Sequence, residues 1–249
     1  MIPLKEDAVL MDSNLKFLPT DGRNLVVRAA ELLRSEYGIR DGVQIHLHKT
    51  IPIAAGMAGG STDAAATLVG MNRLFSLGIS KTRLMEYGAK LGADIPFCIL
   101  RGTALAEGIG EILTPLPDMP DCYILIAKPA VNVSTKFVYE RLDCRALQNR
   151  PDVDGMLAAI HAGNYEGITS RLSNVLEEVT IAAFPVIEEL KTAMLHHGAD
   201  NALMSGSGST VFGLFHNKAN AEQAAAALRQ NPSAKRVFLT KPFRSNGKN

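Results

Sequence analysis

A segment rich in glycine and alanine, Pro52–Asp63, runs straight into an alanine-rich stretch, and it constrains the fold more than any other feature. Its glycines are Gly56, Gly59 and Gly60. Glycine tolerates positive φ angles and lets the backbone approach a ligand closely. Ser61 or Thr62 would cap a helix at its N-terminus, and Asp63 suits the first turn of that helix. The free N–H groups of such a loop and helix start favour an anion, most often a phosphate.

The familiar phosphate-loop patterns do not describe this segment. A Walker A loop places a lysine after its glycines, whereas Ser61 follows Gly60 here. The Gly-x-Gly-x-x-Gly spacing of a dinucleotide-binding loop is also absent from the segment. Two interpretations remain open. The segment is either a phosphate loop of a third kind or an ordinary helix N-terminus packed against a crowded sheet.

Composition is that of an ordinary globular protein. The 249 residues are enough for one large domain or two modest ones, and a net charge of +1 predicts neither a nucleic-acid nor a membrane partner. The cysteines are Cys98, Cys122 and Cys144. They lack Cys-x-x-Cys spacing, which favours reduced thiols over disulfides or zinc. With no recognisable signal peptide or long apolar run, we expect a cytoplasmic protein.

Hydrophobic periodicity predicts alternating strands and helices in the first half of the chain. Apolar and polar residues alternate over 43–47, as in a half-buried strand. A helix should extend from the glycine-rich segment to about Leu77, and another should begin after Ser80. Short strands are predicted at Thr103–Glu107 and Ile112–Leu116. The proline-rich stretch from Pro115 to Asp121 is the candidate domain boundary.

The second half has the pattern of a mixed α+β domain, with several helices between a few strands. The strands are predicted over 123–127, 211–215 and 236–240. The helices are predicted from Ser134 or Thr135 to Leu142, as two or three between Val153 and Val179, from Pro185 to Gly198, and over 219–230.

Two further features carry chemistry. Asp94 lies at a bend after a predicted helix, between Gly92-Ala93 and Ile95-Pro96. Its carboxylate could accept a proton, orient a hydroxyl or bind a metal, or it could simply cap the turn. Ser205–Thr210 is a second glycine-rich loop, which is either a nest for a phosphate or a flexible turn before a strand. Ser207 within it lacks the Gly-x-Ser-x-Gly spacing of a hydrolase nucleophile.

These segments, in this order, resemble the motifs of the GHMP family of small-molecule kinases. The similar segments are Pro52–Thr62 followed by Asp63-Ala64-Ala65-Ala66, then Gly92-Ala93-Asp94-Ile95-Pro96-Phe97, then Met204-Ser205-Gly206-Ser207-Gly208. Supporting stretches are Asp21–Val26 and Ala106–Leu113. The resemblance covers nearly the whole chain, and it is strong to members that phosphorylate a cytidine diphosphate-linked methylerythritol.

The resemblance implies a two-domain α+β fold. An N-terminal ATP-binding α/β domain would span residues 1–118 and a ferredoxin-like C-terminal domain residues 119–243, followed by a tail over 244–249. The active site of such a protein would lie in the cleft between its domains.

The resemblance also implies roles for individual residues. Those implied to wrap the ATP phosphates are Pro52, Ile53, Ala54, Ala55, Gly56, Met57, Ala58, Gly59, Gly60, Ser61 and Thr62. Those implied to lie near the adenine are Asn24, Leu25 and Lys49. Asp94 would act at the acceptor hydroxyl, and Ser61 would contact magnesium or a phosphate. Tyr139, with Thr135 beside it, would stack on the cytosine, unless it is an ordinary helix residue packed on the core.

The implied reaction is phosphorylation of the 2-hydroxyl of the cytidine diphosphate-linked methylerythritol by ATP with magnesium, in a monomer or weak homodimer. Family members carry an early Lys-x-Asn motif and then Gly-Tyr-His, and neither occurs in the first 50 residues here. We therefore keep an alternative, a truncated relative that binds nucleotide but is weakly active or inactive. A GHMP kinase for another small alcohol is a further alternative, although Gly108–Leu113 and Tyr139 argue against it.

Overall fold

The structure is a computed structural model, and it describes residues 1–143, 145, 147 and 150–244. The chain divides into two compact units. The N-terminal unit comprises Met1–Ile53 and Ala58–Pro115, and the C-terminal unit comprises Ala54–Met57 and the described residues from Leu116 onward. The domain limits expected at residues 118 and 243 stay predictions. Cys144 and most of the expected tail, residues 245–249, lie outside the described residues.

The N-terminal unit contains a three-stranded sheet, a two-stranded sheet and four helices among its described residues. The strands are β1 (Ile2–Leu4), β2 (Val9–Ser13), β3 (Gly42–Leu47), β4 (Thr103–Glu107) and β5 (Ile112–Leu116). The helices are α1 (Leu25–Tyr37), α2 (Gly59–Leu74), α3 (Lys81–Ala89) and α4 (Ile95–Leu100). β3 is the central strand of the larger sheet, antiparallel to β1 and parallel to β2, and β4 pairs with β5.

Helices α1 and α2 pack closely because small residues face one another at their contact. Ala29 and Ala30 on α1 and Ala64 and Ala65 on α2 are all buried. Larger side chains at helical spacing extend this core, and they include Val26, Leu33, Leu68 and Met71. The inward face of β3 joins the same core through Val43 and Ile45. This shared core holds α1, α2 and β3 together.

The C-terminal unit is built around a four-stranded sheet. Its strands are β6 (Tyr123–Pro129), β7 (Asn201–Met204), β8 (Val211–Phe215) and β9 (Ala234–Thr240). Its helices are α5 (Thr135–Arg141), α6 (Val153–His161), α7 (Tyr165–Thr169), α8 (Glu177–Ala183), α9 (Val186–His196) and α10 (Lys218–Gln230). The strand order is β7-β8-β6-β9 with all pairs antiparallel. Two central strands that come first and third in the unit are the ferredoxin-like arrangement, which confirms the predicted fold class.

Several predicted elements end at different residues in the structure. Helix α2 stops at Leu74 instead of reaching Leu77, because Phe75 leaves the helical conformation. The connector after Asp94 is the short helix α4, and α1 was not predicted at all. No helix formed by the described residues combines the length and apolar character that crossing a bilayer requires.

Candidate active site

The phosphate turn, which we define as Ala58–Thr62, forms the start of α2. Helix α2 begins at Gly59, and Ala58 precedes it in the left-handed conformation with φ of 46°. No side chain caps this end, and the first intrahelical bond runs from Thr62 N to Ala58 O over 2.8 Å. The amides of Gly59, Gly60 and Ser61 therefore have no partner within the helix, and they lie at the positive end of its dipole.

The predicted N-cap at Ser61 or Thr62 is wrong. Both residues lie inside α2, because the helix already begins at Gly59, directly after the left-handed backbone of Ala58. The Thr62 hydroxyl instead donates to the Ala58 carbonyl over 3.0 Å. Leaving the helix start without a side-chain cap keeps its N–H groups available to a ligand.

A buried ion pair lies beside the phosphate turn. Lys49 Nζ is 2.5 Å from Asp63 Oδ2, and the two side chains are only 4% and 17% exposed. A Cβ atom on Gly59 would lie 2.9 Å from Lys49 Nζ, so the ammonium group is against the first residue of α2. The side chain of Asn14 binds both backbone groups of Lys49, accepting from its N–H and donating to its carbonyl.

The two other residues expected near the adenine have different surroundings. The Asn24 side chain caps α1, accepting from Val26 N over 2.9 Å and donating to Pro19 O over 2.7 Å. Both ends of its amide are thus engaged within the protein. Leu25, the first residue of α1, lies near the phosphate turn, since a Cβ on Gly60 would meet Leu25 Cδ1 at 3.7 Å. The adenine roles of Asn24, Leu25 and Lys49 stay predictions.

Asp94 is connected to the phosphate turn through α4. It is exposed at the N-terminus of α4, and its side chain makes no capping hydrogen bond. One turn later, Cys98 Sγ lies 3.5 Å from Thr62 Oγ1. Burial raises the pKa of the Cys98 thiol, and the nearby carboxylates of Asp94 and Asp63 raise that pKa further. The Asp94 carboxylate is thus not used in a cap and lies one turn before a residue that contacts the phosphate turn; its role at an acceptor hydroxyl stays a prediction.

The tip of the glycine-rich segment, which we define as Ala54–Met57, is bound by the loop Ser205–Thr210 within the C-terminal unit. Ser205 Oγ donates to Gly56 O over 2.7 Å, and Thr210 N donates to Ala55 O over 3.3 Å. Gly56 has φ of 67°, and a Cβ there would lie 2.4 Å from Ser205 O. Only glycine fits this position. Of the remaining segment residues, Ile53 and Ala54 are exposed, while Pro52 and Met57 are half-buried.

The residues predicted to bind the cytidine lie on α5. Ser134 caps this helix, and the hydroxyl of Thr135 at its first position is 2.9 Å from Ser207 Oγ. Tyr139, four residues further on, shares the helix face of Thr135 and is 61% exposed. Tyr139 is therefore not an ordinary residue packed on the core. Its ring is free to receive a planar ligand, and the stacking role stays a prediction.

Two features of these surroundings were missed in the sequence. The hydrogen bonds between Asn14 and Lys49 join residues 35 positions apart, and no local sequence pattern predicts them. The role of Asn24 did have a signal, because an asparagine before a helix-periodic apolar run is a typical N-cap.

The described residues contain no group of three or more His, Cys, Asp or Glu side chains that could hold a metal ion.

Two models of one family match the chain. The model described as GHMP kinases N terminal domain matches residues 24–102, and the model described as GHMP kinases C terminal matches residues 156–234. The first match contains the phosphate turn, Lys49 and Asp94. The second contains the loop that binds the tip of the glycine-rich segment.

Two relatives about half identical to this chain, and one solved structure, are named for the same kinase. A 4-diphosphocytidyl-2-C-methyl-D-erythritol kinase from Lachnospira eligens is 50% identical over 98% of this chain and 84% of its own length. The protein of the same name from Lachnoclostridium phytofermentans is 53% identical with the same coverage. A crystal structure of 4-(cytidine 5'-diphospho)-2C-methyl-D-erythritol kinase has a TM-score of 0.80 and 32% identity, covering 96% of this chain and 84% of that one. The chain belongs to the GHMP kinase family.

Proposed function

We propose that this protein transfers the γ-phosphate of ATP to the 2-hydroxyl of 4-diphosphocytidyl-2-C-methyl-D-erythritol. The observation that carries the proposal is the phosphate turn, whose first amides have no partner within their helix. Asp94 lies one turn of α4 before Cys98, whose Sγ is 3.5 Å from Thr62 Oγ1. Relatives about half identical to this chain bear the name of that kinase over nearly its full length. No observation favours a second function.

The phosphate turn supplies positioning and charge neutralisation. Phosphoryl transfer passes through a transition state with negative charge spread over the phosphoryl oxygens, so fixed N–H donors stabilise it without rearranging. The amides of Gly59, Gly60 and Ser61 are such donors. The flanking tip Ala54–Met57 is held in shape by Ser205 and Thr210, which limits its freedom to move when the nucleotide binds.

Asp94 acts on the acceptor. An exposed carboxylate without a capping bond accepts a hydrogen bond from the substrate hydroxyl, orients it and takes its proton as the new bond forms. The substrate's cytosine binds separately, on the exposed face of Tyr139, with the Thr135 hydroxyl beside it. A planar pyrimidine suits an exposed ring, because stacking needs only the ring face.

Magnesium fits the chemistry of the residues present. It prefers hard oxygen ligands and is held in kinases largely by substrate phosphates and water, with one or two protein oxygens. The half-buried Ser61 hydroxyl at the phosphate turn would supply such an oxygen. When bound, the ion would neutralise charge on the phosphates of ATP.

The test is ADP release by the purified chain. Turnover should depend on 4-diphosphocytidyl-2-C-methyl-D-erythritol and should not occur with homoserine or mevalonate, which related structures of this fold are named for. ATP binding is measured in parallel by calorimetry. ADP release that is stimulated by homoserine or mevalonate, but not by the cytidylyl substrate, would overturn the proposal.

A further inference from the structure

Lys49 is buried with all its polar groups engaged inside the N-terminal unit. Its Nζ pairs with Asp63, and its backbone N–H and carbonyl bind the Asn14 side chain over 2.8 and 3.2 Å. A buried ammonium is costly unless it is paired, so Asp63 is needed wherever Lys49 stays buried. The ion pair therefore fixes the ammonium group of Lys49 beside Asp63, against the start of α2.

The place where Lys49 is held is the base of the phosphate turn. Asn14 directly follows β2, Lys49 follows β3, and Asp63 is the residue after the phosphate turn on α2. A Cβ on Gly59 would lie 2.9 Å from Lys49 Nζ and 2.8 Å from Ile51 Cγ2. The chain of contacts from Asn14 through Lys49 to Asp63 thus joins the ends of two paired strands to the start of α2.

The uncapped start of α2 needs such support. Helix ends without a capping side chain fray, and a glycine-rich first turn is especially free to do so. The donors that meet phosphate must keep their positions to within a fraction of an ångström to bind well. The ion pair at Asp63 holds the helix just one residue beyond the phosphate turn, while leaving its amides uncovered.

We propose that Asn14, Lys49 and Asp63 are positioning residues that hold the phosphate turn for the phosphates of the nucleotide, and that the Lys49 side chain does not bind the adenine. The inference rests on the proposed function in one respect, namely that the phosphate turn receives the phosphates of ATP. It assigns Asp63 and Asn14 a role in nucleotide affinity, and it moves the Lys49 side chain from the base to the phosphate half of the site.

Three ligands separate this role from the alternatives: ATP, adenosine and inorganic tripolyphosphate, each titrated by calorimetry. The variants are Lys49→Met, Asp63→Asn and Asn14→Ala, measured below the onset of their thermal unfolding. Lys191→Met is the matched control, because Lys191 pairs with Glu177 at 2.8 Å in the C-terminal unit with side chains 13% and 16% exposed.

We expect Lys49→Met and Asp63→Asn each to weaken ATP and tripolyphosphate binding by about tenfold, the scale of one or two charge-assisted hydrogen bonds. Asn14→Ala should weaken them less, because Lys49 keeps its ion pair. Adenosine affinity should not change in any variant. The KM for ATP should rise by the same factor while the KM for the acceptor stays constant, and Lys191→Met should lower only the melting temperature.

Each other result overturns the inference in a recognisable way. Tighter tripolyphosphate binding by Asp63→Asn would mean that Lys49 acts as a simple cation opposed by Asp63. An equal loss of adenosine affinity in Lys49→Met would restore the adenine role. Lower melting temperatures with unchanged affinities would reduce the ion pair to a structural element. If the unaltered chain showed no turnover while the variants gave the expected ATP, tripolyphosphate and adenosine affinities, only the proposed function would be contradicted.

Discussion

The hydroxyl of Ser205 donates a hydrogen bond to the carbonyl oxygen of Gly56 over 2.7 Å, although the two residues are 149 positions apart in the sequence. A Cβ atom on Gly56 would lie only 2.4 Å from the Ser205 carbonyl oxygen. The two backbones therefore touch, and the Ser205 side chain closes the contact. The tip of the glycine-rich segment owes its shape to this distant loop.

Ser205→Ala should loosen that tip. The lost hydrogen bond is worth about 1 kcal/mol, so we expect ATP affinity to fall roughly fivefold and stability to fall by a similar free energy. Calorimetry with ATP and thermal melting measure the two effects. Ser233→Ala serves as the control, because its hydroxyl makes only a 3.4 Å contact with Glu189 at the surface. Equal ATP affinities for Ser205→Ala and the unaltered protein would contradict the role.

Gly59→Val should disturb the phosphate turn directly. Its Cβ would lie 2.8 Å from Ile51 Cγ2 and 2.9 Å from Lys49 Nζ, so the start of α2 must shift. We expect ATP affinity to drop tenfold or more, on the order of a few charge-assisted hydrogen bonds. Gly22→Val is the matched control, since a Cβ there meets nothing within 4 Å. Unchanged ATP affinity for Gly59→Val would rule out the phosphate turn as the nucleotide site.

Asp94→Asn should slow turnover without weakening nucleotide binding. An amide of the same shape orients a hydroxyl but takes no proton, so we expect a loss of about 100-fold or more in kcat. The affinity for ATP should stay the same by calorimetry. Asp154→Asn, at the exposed first turn of α6, provides a control for the loss of one charge. Near-normal kcat for Asp94→Asn would leave Asp94 as a residue of the bend only.

Tyr139→Ala should weaken binding of the cytidylyl substrate and spare ATP. Loss of one stacked ring costs about 1 kcal/mol, which corresponds to roughly a fivefold change in dissociation constant. Tyr139→Phe keeps the ring and should bind normally. Phe17→Ala, which removes an exposed ring from the N-terminal unit, is the control. If Tyr139→Phe lost as much affinity as Tyr139→Ala, the hydroxyl rather than the ring face would be the contact.

Stability should fall in alkaline solution in part through Cys122. Burial raises the pKa of this thiol from 9.0 to about 11. Below pH 9 the thiol is protonated in both the folded and the unfolded chain, so its contribution to the free energy of unfolding does not change with pH. As the pH rises towards 11 the unfolded chain loses the proton first, so the free energy of unfolding declines. Urea unfolding at about pH 8 and about pH 10, either side of the ordinary thiol pKa, should show a smaller decline for Cys122→Ala. An identical decline for Cys122→Ala and the unaltered protein would contradict the raised pKa of the Cys122 thiol.

The sequence predicted what short-range patterns determine. The strands at Thr103–Glu107 and Ile112–Leu116 occur where they were expected, and Ser80 caps α3 as predicted. The family resemblance is confirmed by the two matching models and by the relatives. Alternation and capping depend on neighbours in the chain, so they can be recognised before any fold is known.

What the sequence did not reveal depends on distant partners. Capping rules favoured Ser61 or Thr62, but the helix starts earlier because Ala58 adopts a left-handed conformation that alanine rarely takes alone. Only packing from elsewhere holds such a residue in place. The contacts of Lys49 with Asn14 and Asp63 likewise come from strand pairing and helix packing, which no local pattern encodes.

The assignment of Ala54–Met57 to the C-terminal unit has a consequence during synthesis on the ribosome. A nascent chain that has reached Pro115 contains every residue of the N-terminal unit and can begin to fold, because domains generally do so in order of emergence. It does not yet contain Ser205 or Thr210, the donors to Gly56 and Ala55. The glycine-rich tip is therefore completed last, and an arrested or prematurely ended chain would carry the residues of a nucleotide site without its final shape.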